Sequence, residues 1–185
     1  MLSLLCKFNF PRAYQSSGMK NQQMKTIDLH IKIEEFENIS ELNQQDQELL
    51  KKAWEACDTA YAPYSRFNVG AAVLLENGEI VSGNNQENAA YPSGLCAERV
   101  AMYYASAHYP GVPMKAIAVG VKSDVVHLED PGSPCGSCRQ VMAEYENLYR
   151  TKLRIILGSP HTRIQVLEGI GSLLPLTFYA EGLKK

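Results

Sequence analysis

Three cysteines set the tightest constraint on how this chain can fold: Cys96 in Cys96-Ala97-Glu98-Arg99, and the pair in Pro134-Cys135-Gly136-Ser137-Cys138-Arg139. A Cys-x-x-Cys pair can chelate one ion across the first turn of a helix. A third sulfur joins it only if the fold carries Cys96 back to the same point. Both segments stand where a loop runs into a helical pattern, over 96–108 and 136–149. Two helix N-termini therefore have to converge at the carboxyl ends of neighbouring strands, where their positive dipole ends favour thiolates over thiols.

The remaining pattern supplies such a fold. From about Asn43, Leu49, Leu50, Ala53, Cys57, Ala60 and Tyr61 recur at helical steps and stop before Pro63. The β-rich runs 67–75 and 79–83 are joined through Asn77-Gly78, whose positive φ angles suit a tight hairpin turn. Strands at 116–122, 153–157 and 163–167 alternate with the two helices, and a short helix ends before Pro175. The alternation implies a crossover between parallel strands. We expect an α/β fold, a three-layer α/β/α sandwich around a mixed five-stranded sheet.

Length and charge narrow the rest. The chain has 185 residues, 45% of them hydrophobic, enough for one well-buried core. Residues 1–26, basic and without hydrophobic period, read as a disordered extension, with a transit-like peptide or an over-extended start as alternatives. Residues 27–47 read as an addition in which Ile27, Leu29, Ile31 and Ile33 alternate as in a short strand, and 48–185 as the single functional domain. A formal charge of -2 and a pI near 6.1 give no general attraction for nucleic acid. No apolar run reaches bilayer length, so no membrane partner is expected and a cytoplasmic location is.

Three protein sulfurs would leave a tetrahedral zinc ion with one open position, the arrangement that binds and activates water. Glu98, two residues after a ligand, suits a proton shuttle. Three thiolates give zinc a net negative charge that blunts this activation. Arg99 and Arg139 are placed to donate to the sulfurs and offset it. Two alternatives remain open. Cys-x-x-Cys alone serves structural or redox sites, and Cys57 as a fourth sulfur would close the site, although its place on an apolar helix stripe suits packing. Cys6, in the N-terminal extension, is given no role, and the four histidines show no ligand spacing.

Asn85 and Glu87, two apart, point the same way on extended backbone and can grip two adjacent hydroxyls, or else satisfy backbone groups of the loop. Phe67 begins a strand and can offer a ring edge to a planar base, although a core aromatic is the default. Gly70, Ala71 and Ala72 are small where backbone and ligand would approach.

Together, Tyr61-Ala62-Pro63-Tyr64-Ser65, Phe67-Asn68-Val69-Gly70-Ala71-Ala72, Asn85-Gln86-Glu87-Asn88-Ala89-Ala90-Tyr91 and the two cysteine segments resemble the small, homotetrameric cytidine deaminases in order and approximate spacing. The likeness runs over about 49–178. It implies a hydrolase of pyrimidine salvage that converts free cytidine and deoxycytidine to uridine and deoxyuridine plus ammonia. It implies one Zn2+ per subunit on Cys96, Cys135 and Cys138, Glu98 as shuttle, Asn85 and Glu87 on the ribose, and Phe67 against the base. It further implies a tetramer with shared active sites, in which Tyr91 and Phe178 reach neighbouring subunits. Residues 1–47 exceed the family's usual start, and 124–133 differ from its common loop. Rival readings are deamination of another cytosine compound, including cytosine in a polynucleotide, and a zinc-stabilised interaction module with four ligands.

Overall fold

The computed structural model describes residues 24–179. The extension expected over 1–26 falls outside them except for residues 24–26, and so does the position of Cys6.

Helix α1 (Gln44–Cys57) starts where Asn43 accepts a hydrogen bond from the backbone N–H of Asp46, satisfying one of the orphan donors of the first turn. Its apolar stripe buries Leu49, Leu50, Ala53 and Cys57. Ala60 and Tyr61, which continue the stripe in sequence, lie past the helix end, and Tyr61 is exposed.

Strands β2 (Asn68–Leu75) and β3 (Ile80–Asn84) form the hairpin. Its turn differs from expectation. Only Gly78 takes a positive φ (91°), its N–H bonds Leu75 O, and Leu75 N–H returns to Glu79 O. That is an ordinary turn followed by a left-handed glycine, not a two-residue turn with both φ positive. Helix α2 (Ala97–His108), strand β4 (Met114–Lys122), helix α3 (Gly136–Tyr149), strand β5 (Arg154–Leu157) and strand β6 (Ile164–Glu168) follow. β4 and β5 pair in parallel, with α3 as the connection between them, and every other pairing is antiparallel.

Strand alternation sorts the core into two layers. Ala71, Val73, Ile117, Val119, Ile155 and Leu157 pack with α2 and α3. On the opposite face Ala72, Leu74, Ala116, Ala118 and Ile156 pack with α1. The α1 face is rich in alanine because that helix comes close: a Cβ on Gly70 would fall 2.0 Å from Ala53 O. Gly70 is thus small for the helix and not for a ligand, contrary to the sequence-based expectation.

The three-layer architecture is as expected, but the sheet has six strands, ordered β1-β6-β5-β4-β2-β3, instead of five. The extra strand β1 (Glu34–Phe36) pairs antiparallel with β6. The alternating segment 27–33 has no regular structure, and the strand forms just after it. There Phe36 packs on the α1-side core and Glu35 accepts from Gln165 Nε2 at 2.9 Å. These contacts hold Glu34–Phe36 against β6, whereas Ile27, Leu29, Ile31 and Ile33 are exposed.

Candidate metal centre and adjoining cavity

Cys96 is the residue that caps α2 and Cys135 the one that caps α3, both with extended backbone before the first helical turn. The two helix starts meet. Sγ of Cys96 lies 3.8 Å from Sγ of Cys135, which lies 3.5 Å from Sγ of Cys138, and all three sulfurs fall within 4.8 Å of one another. Sulfurs sharing a tetrahedral zinc at ~2.3 Å stand ~3.8 Å apart, so the three fit one ion without rearrangement. Among the described residues no other group of His, Cys, Asp and Glu side chains is so arranged.

The electrostatics agree with a cation site. Hydrogen bonding with Cys138, then with Arg99 and Cys135, lowers the Cys96 thiol to about 5 against the opposing effect of burial. Cys138 shifts upward, chiefly because it shares that hydrogen bond with Cys96 and is buried. Cys57 is not a fourth ligand. Its thiol lies buried under α1, contacting Ala53 O and Gly120 O at 3.5 Å, and burial pushes it up to about 11. The closed four-cysteine site is therefore set aside.

Glu98 sits in the first turn of α2, 4% exposed, and lines a cavity of about 810 Å³ together with Cys96, Cys135 and Arg99. Burial is the main reason its carboxyl titrates above the ordinary range, and the charge at Cys96 adds to the shift. Arg99 donates from Nη2 to Cys96 Sγ at 3.7 Å, as expected, while its Nε is buried without a hydrogen-bond partner. Arg139 does otherwise. Its guanidinium donates to Pro134 O (2.8 Å), Leu173 O (2.8 Å) and Ser133 Oγ (3.2 Å), so it braces the loop that delivers Cys135 in place of reaching a sulfur.

Phe67, Asn85, Glu87 and Tyr91 line the same cavity. Asn85 is already engaged: Oδ1 accepts from Val69 N (2.8 Å) and Nδ2 donates to Phe67 O (2.9 Å). Glu87 Oε2 accepts from the backbone N–H of Tyr64 (2.9 Å) and Ser65 (3.2 Å). The Ser65 hydroxyl and these two N–H groups hold the Glu87 carboxyl below the ordinary range. Both residues thus fix the loop before β2, where Arg66 takes a left-handed φ of 53° and Ser65 Oγ accepts from Phe67 N.

Tyr91 is 77% exposed at the rim and meets Tyr64 edge-on, with ring centroids 6.3 Å apart. Phe178 lies outside the cavity lining, also exposed, with its carbonyl accepting from Gln140 Nε2. The loop 124–133, whose departure from the family's common loop bears on the pocket rim, does form part of the wall, through Val126 and Ser133, which the sequence does not single out. Sequence reasoning also gave Tyr64 no place in the site, although its flanking Pro63 and Ser65 mark a turn.

Residues 43–151 match the family model described as the cytidine and deoxycytidylate deaminase zinc-binding region. A cytidine deaminase of Halalkalibacterium halodurans is 41% identical over 137 residues, covering 74% of this chain and 96% of that protein. One from Sporosarcina psychrophila is 41% identical over 140 residues, covering 73% and 97%. The crystal structure of a cytidine deaminase from Burkholderia pseudomallei superposes with a TM-score of 0.63 at 37% identity, covering 74% of this chain and all (100%) of that one.

Proposed function

The chain belongs to the cytidine and deoxycytidylate deaminase family, and from that membership we propose that it hydrolyses the exocyclic amine of free cytidine and deoxycytidine, releasing ammonia. The observation that carries this reading is the meeting of three sulfurs beside one buried carboxylate, with Cys96, Cys135 and Glu98 lining a single cavity and Cys138 buried behind them. Cys96, Cys135 and Cys138 would hold the zinc ion. When bound, it supplies a water of lowered pKa and a Lewis-acid centre.

The residues of the chain do the rest. Glu98, held out of bulk water, takes a proton from the attacking water and delivers it to N3 of the cytosine ring as oxygen adds at C4. The remaining proton of that oxygen then passes through the same carboxylate to the amino group, which leaves as ammonia and yields uridine or deoxyuridine. Arg99 draws charge from Cys96. Phe67 packs against the base, and Asn85 and Glu87 meet the ribose with the polar capacity that their backbone hydrogen bonds leave over: Glu87 Oε1 is outside those bonds. A carboxylate at that wall also disfavours a phosphorylated sugar, which speaks for nucleosides over nucleotides.

The exposed Tyr91 and Phe178 support a homotetramer in which neighbouring subunits complete each other's sites. Among the described residues no helix is long and apolar enough to cross a membrane. Three free thiols at a metal site suit a reducing compartment, and we place the protein in the cytoplasm. Incubating the purified protein with cytidine, deoxycytidine or a cytosine-containing oligonucleotide, with and without a chelator, tests the whole reading. Ammonia release is expected from the two nucleosides only and is expected to stop on chelation. Release from the oligonucleotide alone would overturn it.

A further inference from the structure

The far edge of the sheet carries a feature that deamination does not use. Among the described residues β1 pairs only with β6, and no described strand meets the backbone N–H and C=O groups of its other side. Directly before it, Ile27, Leu29, Ile31 and Ile33 are 72%, 61%, 49% and 46% exposed. They alternate with Asp28, His30 and Lys32, and the whole segment precedes the family-matching region 43–151. Four large apolar side chains in a period of two, running into an open sheet edge, have the pattern of a strand that lacks its neighbour.

We propose that this segment pairs with the same segment of a second copy of the chain, antiparallel and centred on His30, so that β1 is prolonged into a strand shared between two sheets. Charge and apolarity select the register. With His30 opposite itself, Leu29 faces Ile31 of the second copy, Ile27 faces Ile33, Asp28 faces Lys32, and Lys25 falls opposite Glu35. The two-fold symmetry makes each of these pairs twice. A shift by one position sets every isoleucine against a polar residue. Recentring on Ile31 sets Asp28 against Glu34 and His30 against Lys32. Charges on an edge strand ordinarily keep copies apart, but here the signs permit self-pairing, and only the His30-centred register opposes Ile27 to Ile33 and Lys25 to Glu35 as well. Lys32, which bonds Glu34 at 2.7 Å within one copy, is itself largely exposed and free to turn to the second.

Directly opposed residues of an antiparallel pair have Cα atoms ~4.5–5.5 Å apart, within disulfide range. The test is oxidative cross-linking of the full-length chain, read on non-reducing gels against the unmodified chain. His30→Cys is expected to give mostly disulfide-linked dimer. Asp28→Cys alone and Lys32→Cys alone should stay monomeric on the gel, while their equimolar mixture links. Adding Asp28→Lys to the His30→Cys chain should lower the linking rate about tenfold, and adding Lys32→Asp as well should restore it. His30→Cys linking no faster than the unmodified chain overturns the proposal, and so does equal linking by Asp28→Cys alone. Cytidine turnover is expected to match the unmodified chain throughout, so loss of the pairing leaves the deaminase reading untouched, and loss of activity leaves the cross-linking result intact.

Discussion

At one end of the cavity the chemistry sits on the first turns of α2 and α3; at the other it sits on the loops before β2 and after β3. The first end is anchored by helices whose apolar faces are packed on the sheet, and its sulfurs bond one another and Arg99. At the second end Asn85 and Glu87 hold backbone groups of residues 64–69 as well as facing the cavity. The metal end separates its chemistry from folding, whereas the wall of Asn85 and Glu87, proposed to meet the ribose, would use the same side chains for both. Substitutions should divide accordingly.

The largest expected effect is at the metal end. Cys138→Ala removes a ligand that lies buried at the start of α3, and the purified variant is expected to hold far less than one zinc per chain. Without an ion to lower the pKa of water from 15.7 toward ~7, turnover should fall by more than ~10⁴-fold. Metal analysis alongside ammonia release checks both. Full zinc content in this variant would remove Cys138 from the ligand set.

Next comes Glu98→Gln, which keeps the shape of the side chain and leaves every sulfur in place. Zinc content and thermal midpoint are expected to stay at the level of the unmodified chain while kcat falls by ~10²–10⁴-fold, the scale of a general acid-base group. A drop in zinc content equal to the drop in kcat would make Glu98 a ligand instead.

The division also explains what could be read from the sequence. The convergence of Cys96, Cys135, Cys138 and Glu98 is legible because a shared ion imposes spacing that packing does not, and the helix starts follow from the change in period. Helix α3 and the hairpin emerge almost where the pattern puts them. Arg139 meets carbonyls in place of a sulfur because a position one turn from Cys135 says nothing about which acceptors its guanidinium will meet, and Leu173 O and Pro134 O are brought there only by the fold. Gly70 was misread for the same reason, since closeness to Ala53 is a tertiary fact. The alternation over 27–33 was seen, but a strand exists only where there is a partner, and Phe36 and Glu35 give β6 its contacts a few residues later. Val126 carries no local signal: a valine in the loop after β4 becomes a cavity wall only once the fold has placed it.

On the loop-bracing wall, Asn85→Ala deletes two hydrogen bonds to partly buried backbone groups, each of which contributes ~0.5–1.5 kcal/mol net. Here activity and stability should fall together: kcat/KM by ~10–100-fold, and the thermal midpoint by several degrees. A variant with reduced kcat/KM but an unshifted midpoint would show that the wall, like the metal end, keeps its functional groups free of structural duty.

The smallest effect, and the one that isolates the double role, concerns Glu87. The Ser65 hydroxyl and the N–H groups of Tyr64 and Ser65 favour its ionised form, so its folded-state pKa lies below the ordinary 4.5. A carboxylate lowered in this way contributes its stabilisation in full above the unfolded value and loses it as the pH falls through the folded one. From pH 7 to about 5 the loop should therefore be insensitive to pH, and below about 4.5 it should loosen as the carboxyl protonates. Because Glu87 is only partly buried and its bonds reach one loop, the change is local: amide protection at Tyr64 and Ser65 should fall in acid, while protection in β2 and β4 holds. Glu87→Gln should show the reduced protection already at pH 7 and no acid step, together with a raised KM for cytidine at little changed kcat. If protection at Tyr64 and Ser65 is the same in both proteins at pH 7, the carboxylate does not hold the loop, and its hydrogen bonds there are incidental to its place in the cavity wall.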